Sequence, residues 1–205
     1  MGVRIGPRVR VVRRLGTPLH GLTRKKHDRP YAPGQHGPMQ ASRRRKTSEY
    51  GLRLREKQKV RYYYGIREHQ LGRYVQRAAR MAGSTGNDLF RLLESRLDNI
   101  VFRLGLAPTI QAARQLIRHG HILVGARRVG ARGFEVTPGD VVSVHERSRS
   151  HPAIVAAIAK GPELAVPSYL RRSEDGYGGE MLTQPSREDA PLDVRETLVV
   201  EFYSR

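Results

Sequence analysis

Charge divides this chain into two unlike parts. Residues 1–85 hold 22 Lys or Arg and 4 acids, a net of +18, whereas residues 86–205 hold 16 and 15, a net of +1. A stretch that lopsided repels itself, so it is expected to fold fully only against a polyanion, while the balanced remainder can build a core of its own. The formal charge of the whole chain is +19, and nucleic acid is the polyanion that suits it. The chain has no cysteine, which excludes disulfides and removes the ligand type that most structural zinc sites use. No apolar run approaches transmembrane length, and the start MGVRIGPRVRVVRRLG lacks the continuous apolar stretch of a secretory signal. A cytoplasmic protein with no membrane partner is expected.

At 205 residues the chain can hold two small domains. Residues 1–46 read as a basic arm, mostly irregular, because Gly and Pro recur among arginines at Gly6-Pro7, Pro18, Pro30, Pro33-Gly34 and Gly37-Pro38. The turn Pro33, Gly34, Gln35, His36, Gly37 could hug a phosphate backbone or be a plain turn. Arg43, Arg44, Arg45 and Lys46 are candidate RNA contacts. From Thr47 the pattern becomes helical, with Thr47 or Ser48 as cap and Gly65 as stop. Arg53, Arg55, Lys57, Lys59 and Arg61 spread around that cylinder, which suits a groove between RNA segments better than a protein core. Tyr62 to Tyr64 could stack on bases or fill a core.

A second helix, about Glu68 to Ala82, puts Leu71, Tyr74, Val75, Ala78, Ala79 and Ala82 on one face and Arg73, Gln76, Arg77 and Arg80 on the other. A third runs from Leu89 through Leu104 to Gly105 as its left-handed cap. Within it, Arg96 and Arg103 lie near Asp98 and Asn99, which favours ion pairing or RNA positioning over a catalytic role. A fourth helix follows Pro108, with Thr109 as cap and Gly120 as stop. Short β runs then fill residues 121–145, with HILV and RRV flanking Gly125-Ala126. AIVAAIAKG suggests a short helix, EDGYGGEMLTQPSREDAP a loop, and LVVEFY a strand.

The fourth helix carries the most information. Ile110, Ala113, Leu116 and Ile117 form a buried stripe, which leaves Gln111, Arg114, Gln115 and Arg118 on the exposed one. Guanidinium forks match phosphate oxygens, and glutamine amides reach base edges or ribose hydroxyls. His119 and His121 flank Gly120 and join the candidate RNA contacts, with Tyr62, Arg73, Arg77, Arg80 and Arg96. As a metal pair these histidines lack a third ligand, and a histidine at a helix end also complements the dipole. No metal and no cofactor are expected.

SRLDNIVFRLGLAPTIQAARQLIRHGHILV resembles the RNA-binding module named after bacterial small-subunit ribosomal protein four. PYAPGQHG at 30–37, LREKQKVRYYYGI at 54–66, LLESRLDN at 92–99, TPGD at 137–140 and LVVEFYSR at 198–205 are each similar to that ribosomal family, and they follow the family's order. The resemblance implies an α+β protein: a helical first domain, with an inserted second domain of two helices packed on a small β-sheet. The expected division is a basic arm at 1–46, a mainly helical first domain at 47–92 with 175–205, and the module at 93–174. The implied function is direct binding of 16S ribosomal RNA in its 5′ domain, nucleation of subunit-body assembly and a contribution to translational accuracy. Small-subunit ribosomal protein five is the implied protein partner, with protein three and messenger RNA at the mRNA entrance. Two departures stand out. Many members bind zinc through four cysteines in the arm, where this chain has His20, His27 and His36 and no thiol. At the hairpin the family's Asn-Gly is replaced by Gly125-Ala126, and an irregular Gly130 to Gly133 follows.

The rivals are an accessory module of an RNA-modifying enzyme and a general RNA chaperone. Roughly sixty residues follow the compact helix-and-β unit that spans about Leu93 to Val144, too few for a separate catalytic domain, and the arm offers no carboxylate cluster or nucleophile with a base. A non-enzymatic role is therefore expected.

Overall fold

A computed structural model describes residues 6–23, 25, 29, 31–42 and 48–204. The candidate contacts Arg43, Arg44, Arg45 and Lys46, the alternative cap Thr47, and His27 and Pro30 lie outside the described residues. The chain forms two compact units, Met1–Gly86 with Leu192–Arg205, and Asn87–Pro191.

The first unit is helical. Helix α1 (Arg8–Leu15) and the short α2 (Gly37–Ser42) come from the arm, followed by α3 (Glu49–Tyr63) and α4 (Glu68–Ala78). Outside α1 and α2 the described part of the arm is irregular, but it carries core residues: Val12, Leu15, Leu19 and Leu22 are buried and join Val60, Tyr63, Tyr64, Ile66, Leu71 and Val75 in the core. Between α1 and α2, Arg13 Nε donates to the Tyr31 carbonyl at 3.2 Å, and its guanidinium stacks on the Tyr31 ring. The PGQHG turn closes as Gly37 N–H donates to the Gly34 carbonyl at 3.1 Å, with Gly34 at φ 105°. A Cβ at Gly37 would lie 1.9 Å from the Ala32 carbonyl oxygen, so no other residue fits there.

Ser48 caps α3, its Oγ accepting from Gly51 N–H at 3.2 Å. The segment LVVEFY is not a strand. It lies in helix α9 (Glu196–Tyr203), which buries Val199 and packs along α3. The β-branched run that suggests a strand is overridden by this packing against α3. Helix α4 ends at Ala78, so Ala79 and Ala82, expected on its apolar face, are exposed.

In the second unit, the expected single third helix is broken into α5 (Thr85–Glu94) and α6 (Leu97–Arg103). Ser95 Oγ donates to the Arg91 carbonyl at 2.8 Å, and Arg96 turns extended (ψ 135°) to bridge Glu135 as an isolated β pair. A serine that hydrogen-bonds back into the preceding turn weakens helix continuation. Leu97 N–H donates to the Phe134 carbonyl at 2.9 Å and Asp98 N–H to Arg132 at 3.2 Å, which pins the Gly130–Gly133 loop against the break.

Helix α7 (Ile110–Arg118) leads into strands β1 (Ile122–Val124), β2 (Arg127–Arg128) and β3 (Val141–Val144). After a 3₁₀ turn at Glu146–Ser148 come α8 (Pro152–Lys160), β4 (Leu170–Arg172) and β5 (Gly178–Met181). The antiparallel sheet runs β2-β1-β3-β5-β4. Because Val142 pairs with Gly179 and Leu170 with Met181, the segment read as a loop supplies a strand. The first compact unit takes up the chain again at Leu192. At the β1–β2 hairpin Gly125 has φ 57° and Ala126 is not at positive φ. That pattern fits a two-residue type II′ turn, which accommodates Gly-Ala where the family carries Asn-Gly.

Candidate nucleic-acid interface

Helix α7 is capped independently of its cations: Thr109 Oγ1 accepts from Ala112 N–H at 3.2 Å, and Gly120 at φ 76° ends it. Ile110, Ala113, Leu116 and Ile117 are buried as the spacing predicts. The opposite stripe is divided. Gln115, Arg118 and His119 are exposed, and Gln111 is half-buried. Arg114, expected beside Arg118 on the open face, is only 8% exposed, and its Nε donates to Asp98 Oδ2 at 2.7 Å. Helical spacing puts Arg114 at the margin of the buried stripe, and the carboxylate on α6 draws it inward.

Arg96 is buried as well. Its Nε and Nη2 grip the two oxygens of Asp98 at 3.0 and 2.9 Å, so one carboxylate, 1% exposed, is shared by two arginines. Of the two roles open to Arg96, ion pairing is the one its geometry serves. Beside this cluster Glu94 accepts from Asn99 Nδ2 at 2.7 Å and from the Tyr169 hydroxyl at 2.9 Å, with Arg103 Nε 3.9 Å away. Burial and the Glu94 carboxylate push the Tyr169 phenol well above its ordinary range, so it stays a donor. These groups fix α6 and α7 against each other and brace the face that carries Arg118.

That face continues beyond α7. The hairpin exposes Arg127 and Arg128, and Arg128 Nη2 lies 2.8 Å from His145 Nε2. His121, half-buried, sits with its Nδ1 2.9 Å from Ser148 Oγ and its ring 6.1 Å from that of His119. Arg147 is exposed on the 3₁₀ turn. The helix end, the hairpin and the 3₁₀ turn thus gather Arg118, His119, His121, Arg128 and His145 at one edge of this unit. The sequence reading did not single out Arg127, Arg128 or Arg147. A usable signal was present, since a two-residue hairpin followed directly by Arg-Arg places both side chains on a short edge strand.

In the first unit several α3 cations meet protein partners. Arg53 Nε reaches Glu201 Oε2 at 2.7 Å, Lys59 Nζ reaches Glu56 Oε1 at 2.7 Å and the Asp193 carbonyl at 3.4 Å, and Arg61 Nη1 donates to Gln58 at 3.0 Å. Lys57, 5% exposed, binds Glu68 Oε1 at 2.8 Å beneath the Phe202 ring. Glu68 of α4, with Glu201 and the Asp193 carbonyl of the returning C-terminal segment, meets part of this charge, so one side of α3 packs against protein. Tyr63 and Tyr64 are core residues, whereas Tyr62 is half-buried against Arg61. Arg55 on α3 is exposed, as are Arg73, Arg77 and Arg80 on and just beyond α4. In the PGQHG turn, Gly34, Gln35 and His36 are exposed, Pro33 is half-buried and Gly37 is buried. Among the described residues, no group of three or more His, Asp or Glu is placed to hold a metal ion.

Two family matches cover the first 142 residues almost without a gap. Residues 4–94 match the family described as Ribosomal protein S4/S9 N-terminal domain, and residues 95–142 match the S4 domain. Over 201 residues the chain is 52% identical to small ribosomal subunit protein uS4 of Thermosynechococcus vestitus, covering 98% of this chain and 96% of that one. With the same coverage it is 51% identical to uS4 of Nostoc punctiforme and 50% identical to uS4 of Synechococcus elongatus. These relatives are named as ribosomal components and not as enzymes. With half of all positions shared along nearly the whole length of both chains, the protein belongs to the family of small ribosomal subunit protein uS4.

Proposed function

We propose that this protein is a non-enzymatic structural component of the small ribosomal subunit in the cytoplasm, and that it binds 16S ribosomal RNA directly in the RNA's 5′ domain. The observation that carries the reading is the edge of the second unit where Arg118, His119 and Arg128 stand exposed on a helix end and hairpin braced by the buried Arg96–Asp98–Arg114 cluster. Rigidly held cations of this kind match phosphate oxygens at low entropic cost. In the first unit, exposed Arg55, Arg73, Arg77 and Arg80 add a second group of phosphate contacts. Binding of this type early in subunit formation nucleates assembly of the subunit body. In the mature subunit the protein adjoins small-subunit ribosomal protein five, with protein three and messenger RNA at the mRNA entrance, and contributes to accuracy of decoding.

The test is filter binding of the full chain to 5′-domain 16S RNA, with circular dichroism on the same samples. Arg118→Glu combined with Arg128→Glu replaces two charge-assisted contacts, each worth about 1.5–3 kcal/mol, with repulsion. Affinity should fall more than about a hundredfold with the fold intact. Unchanged binding by the folded double variant would sink the assignment of this edge.

A further inference from the structure

Four of the eight histidines, His119, His121, His145 and His151, fall at the edge just described. His119 and His121 flank the end of α7, His145 precedes the 3₁₀ turn, and His151 caps α8. The His121 ring lies 5.1 Å from His151 and 6.1 Å from His119. The cations supplied by the surrounding elements are Arg118 from α7, Arg127 and Arg128 from β2, and Arg147 and Arg149 from the 3₁₀ turn and its end. Arg149 is met by Asp175 at 3.4 Å. Among the described residues of these elements the one carboxylate is Glu146, which is exposed.

This cluster is short of acceptors. His145 Nδ1 faces the Arg147 N–H at 3.2 Å, while its Nε2 faces the Arg128 guanidinium at 2.8 Å. A neutral imidazole accepts at one nitrogen only, so one of these contacts sets donor against donor. His151 Nδ1 accepts from Ala153 N–H at 3.2 Å, which leaves its proton on Nε2 as a donor.

We propose that this histidine cluster is a proton-coupled phosphate site: an RNA backbone phosphate seated against Arg128 and the imidazoles is bound together with a proton. The proposal rests on the reading of this edge as a ribosomal RNA contact. A phosphate oxygen supplies the missing acceptor to Arg128 in place of the His145 nitrogen that faces it. In the free protein burial first, and then His151, His119, Arg128 and His145, hold the His121 imidazole below its ordinary value of 6.5. An arriving negative charge reverses that balance. The His121 pKa is therefore higher in the complex than in the free protein. The gain in affinity is full below the free value and is lost as pH rises through the bound one.

The experiment measures affinity of the full chain for 5′-domain 16S RNA at constant salt from about pH 5.5 to 8.5, with calorimetry in buffers of different ionisation heat. Expected are net proton uptake and an affinity that rises up to about tenfold per pH unit on acidification. His121→Gln, His145→Gln and His151→Gln combined should hold affinity at its alkaline value across the range. Arg118→Gln should weaken binding at every pH and leave the slope intact. Proton uptake is read on the unmodified protein, so the outcome does not depend on the triple variant folding. Binding without proton uptake, or a slope that survives the folded triple variant, overturns the coupling and spares the RNA reading. No binding at any pH overturns the RNA reading and the proposal with it.

Discussion

Arg114 donates to Asp98 at 2.7 Å from within the protein, so the arginine one helical turn before the exposed Arg118 serves the fold and not the open face. Removing Arg114 deletes one charge-assisted hydrogen bond from a buried carboxylate that Arg96 still holds, at about 1.5–3 kcal/mol. Arg114→Ala should therefore lower urea stability by roughly that amount. Arg118→Ala should change stability by less than about 0.5 kcal/mol while weakening RNA binding. Equal stability losses for the two variants would contradict this division of roles.

Docking of α9 should fail in acid. Against a burial that raises it, hydrogen bonds from Lys57 and from the Tyr203 hydroxyl, at 2.8 and 2.7 Å, hold the Glu68 carboxyl below its ordinary value of 4.5. A lowered folded pKa contributes stability that is full above the unfolded value and lost as pH falls through the folded one. Stability measured by denaturant should thus decline below about pH 4.5, and Glu68→Gln should flatten that decline. An undiminished acid dependence in the variant would remove Glu68 from the account.

The arm depends on its turn. Gly37→Ala drives a Cβ into the Ala32 carbonyl, so α2 must shift, with a loss of about 1–3 kcal/mol. Protease nicking within residues 31–42 reports it. Resistance equal to the unsubstituted protein would show that the turn yields freely.

Chelation should leave the arm intact. Its turn is tied by Arg13 to the Tyr31 and Ala32 carbonyls, and the chain has no thiolate to hold zinc. Metal analysis of purified protein alongside chelator-treated samples checks this, and stoichiometric zinc would contradict it.

Much of this architecture is legible in the sequence, because it rests on local periodicity. The stripe Ile110, Ala113, Leu116, Ile117 buries as spaced, Thr109 and Gly120 bound their helix, and the hairpin closes at Gly125-Ala126. What escapes the sequence depends on distant partners. Lys57 and Arg53 look like RNA ligands until Glu68 and Glu201 are folded beside them. Val199 and its neighbours look like a strand until α3 offers a groove, and residues 178–181 look like a loop until β3 supplies an edge. The charge count points to a polyanionic partner but not to which arginines are spent on internal acids.

Direct contact between this chain and ribosomal RNA phosphates makes its RNA affinity depend on salt. The most direct test is the affinity of the full chain for 5′-domain 16S RNA as a function of salt, for the unsubstituted protein and for Arg118→Glu with Arg128→Glu. An interface neutralising roughly 6–10 phosphates predicts an affinity loss on the order of a thousandfold from low to moderate salt, with a slope shallower by about two contacts in the double variant. A slope near zero, or one identical in the folded double variant, would contradict it.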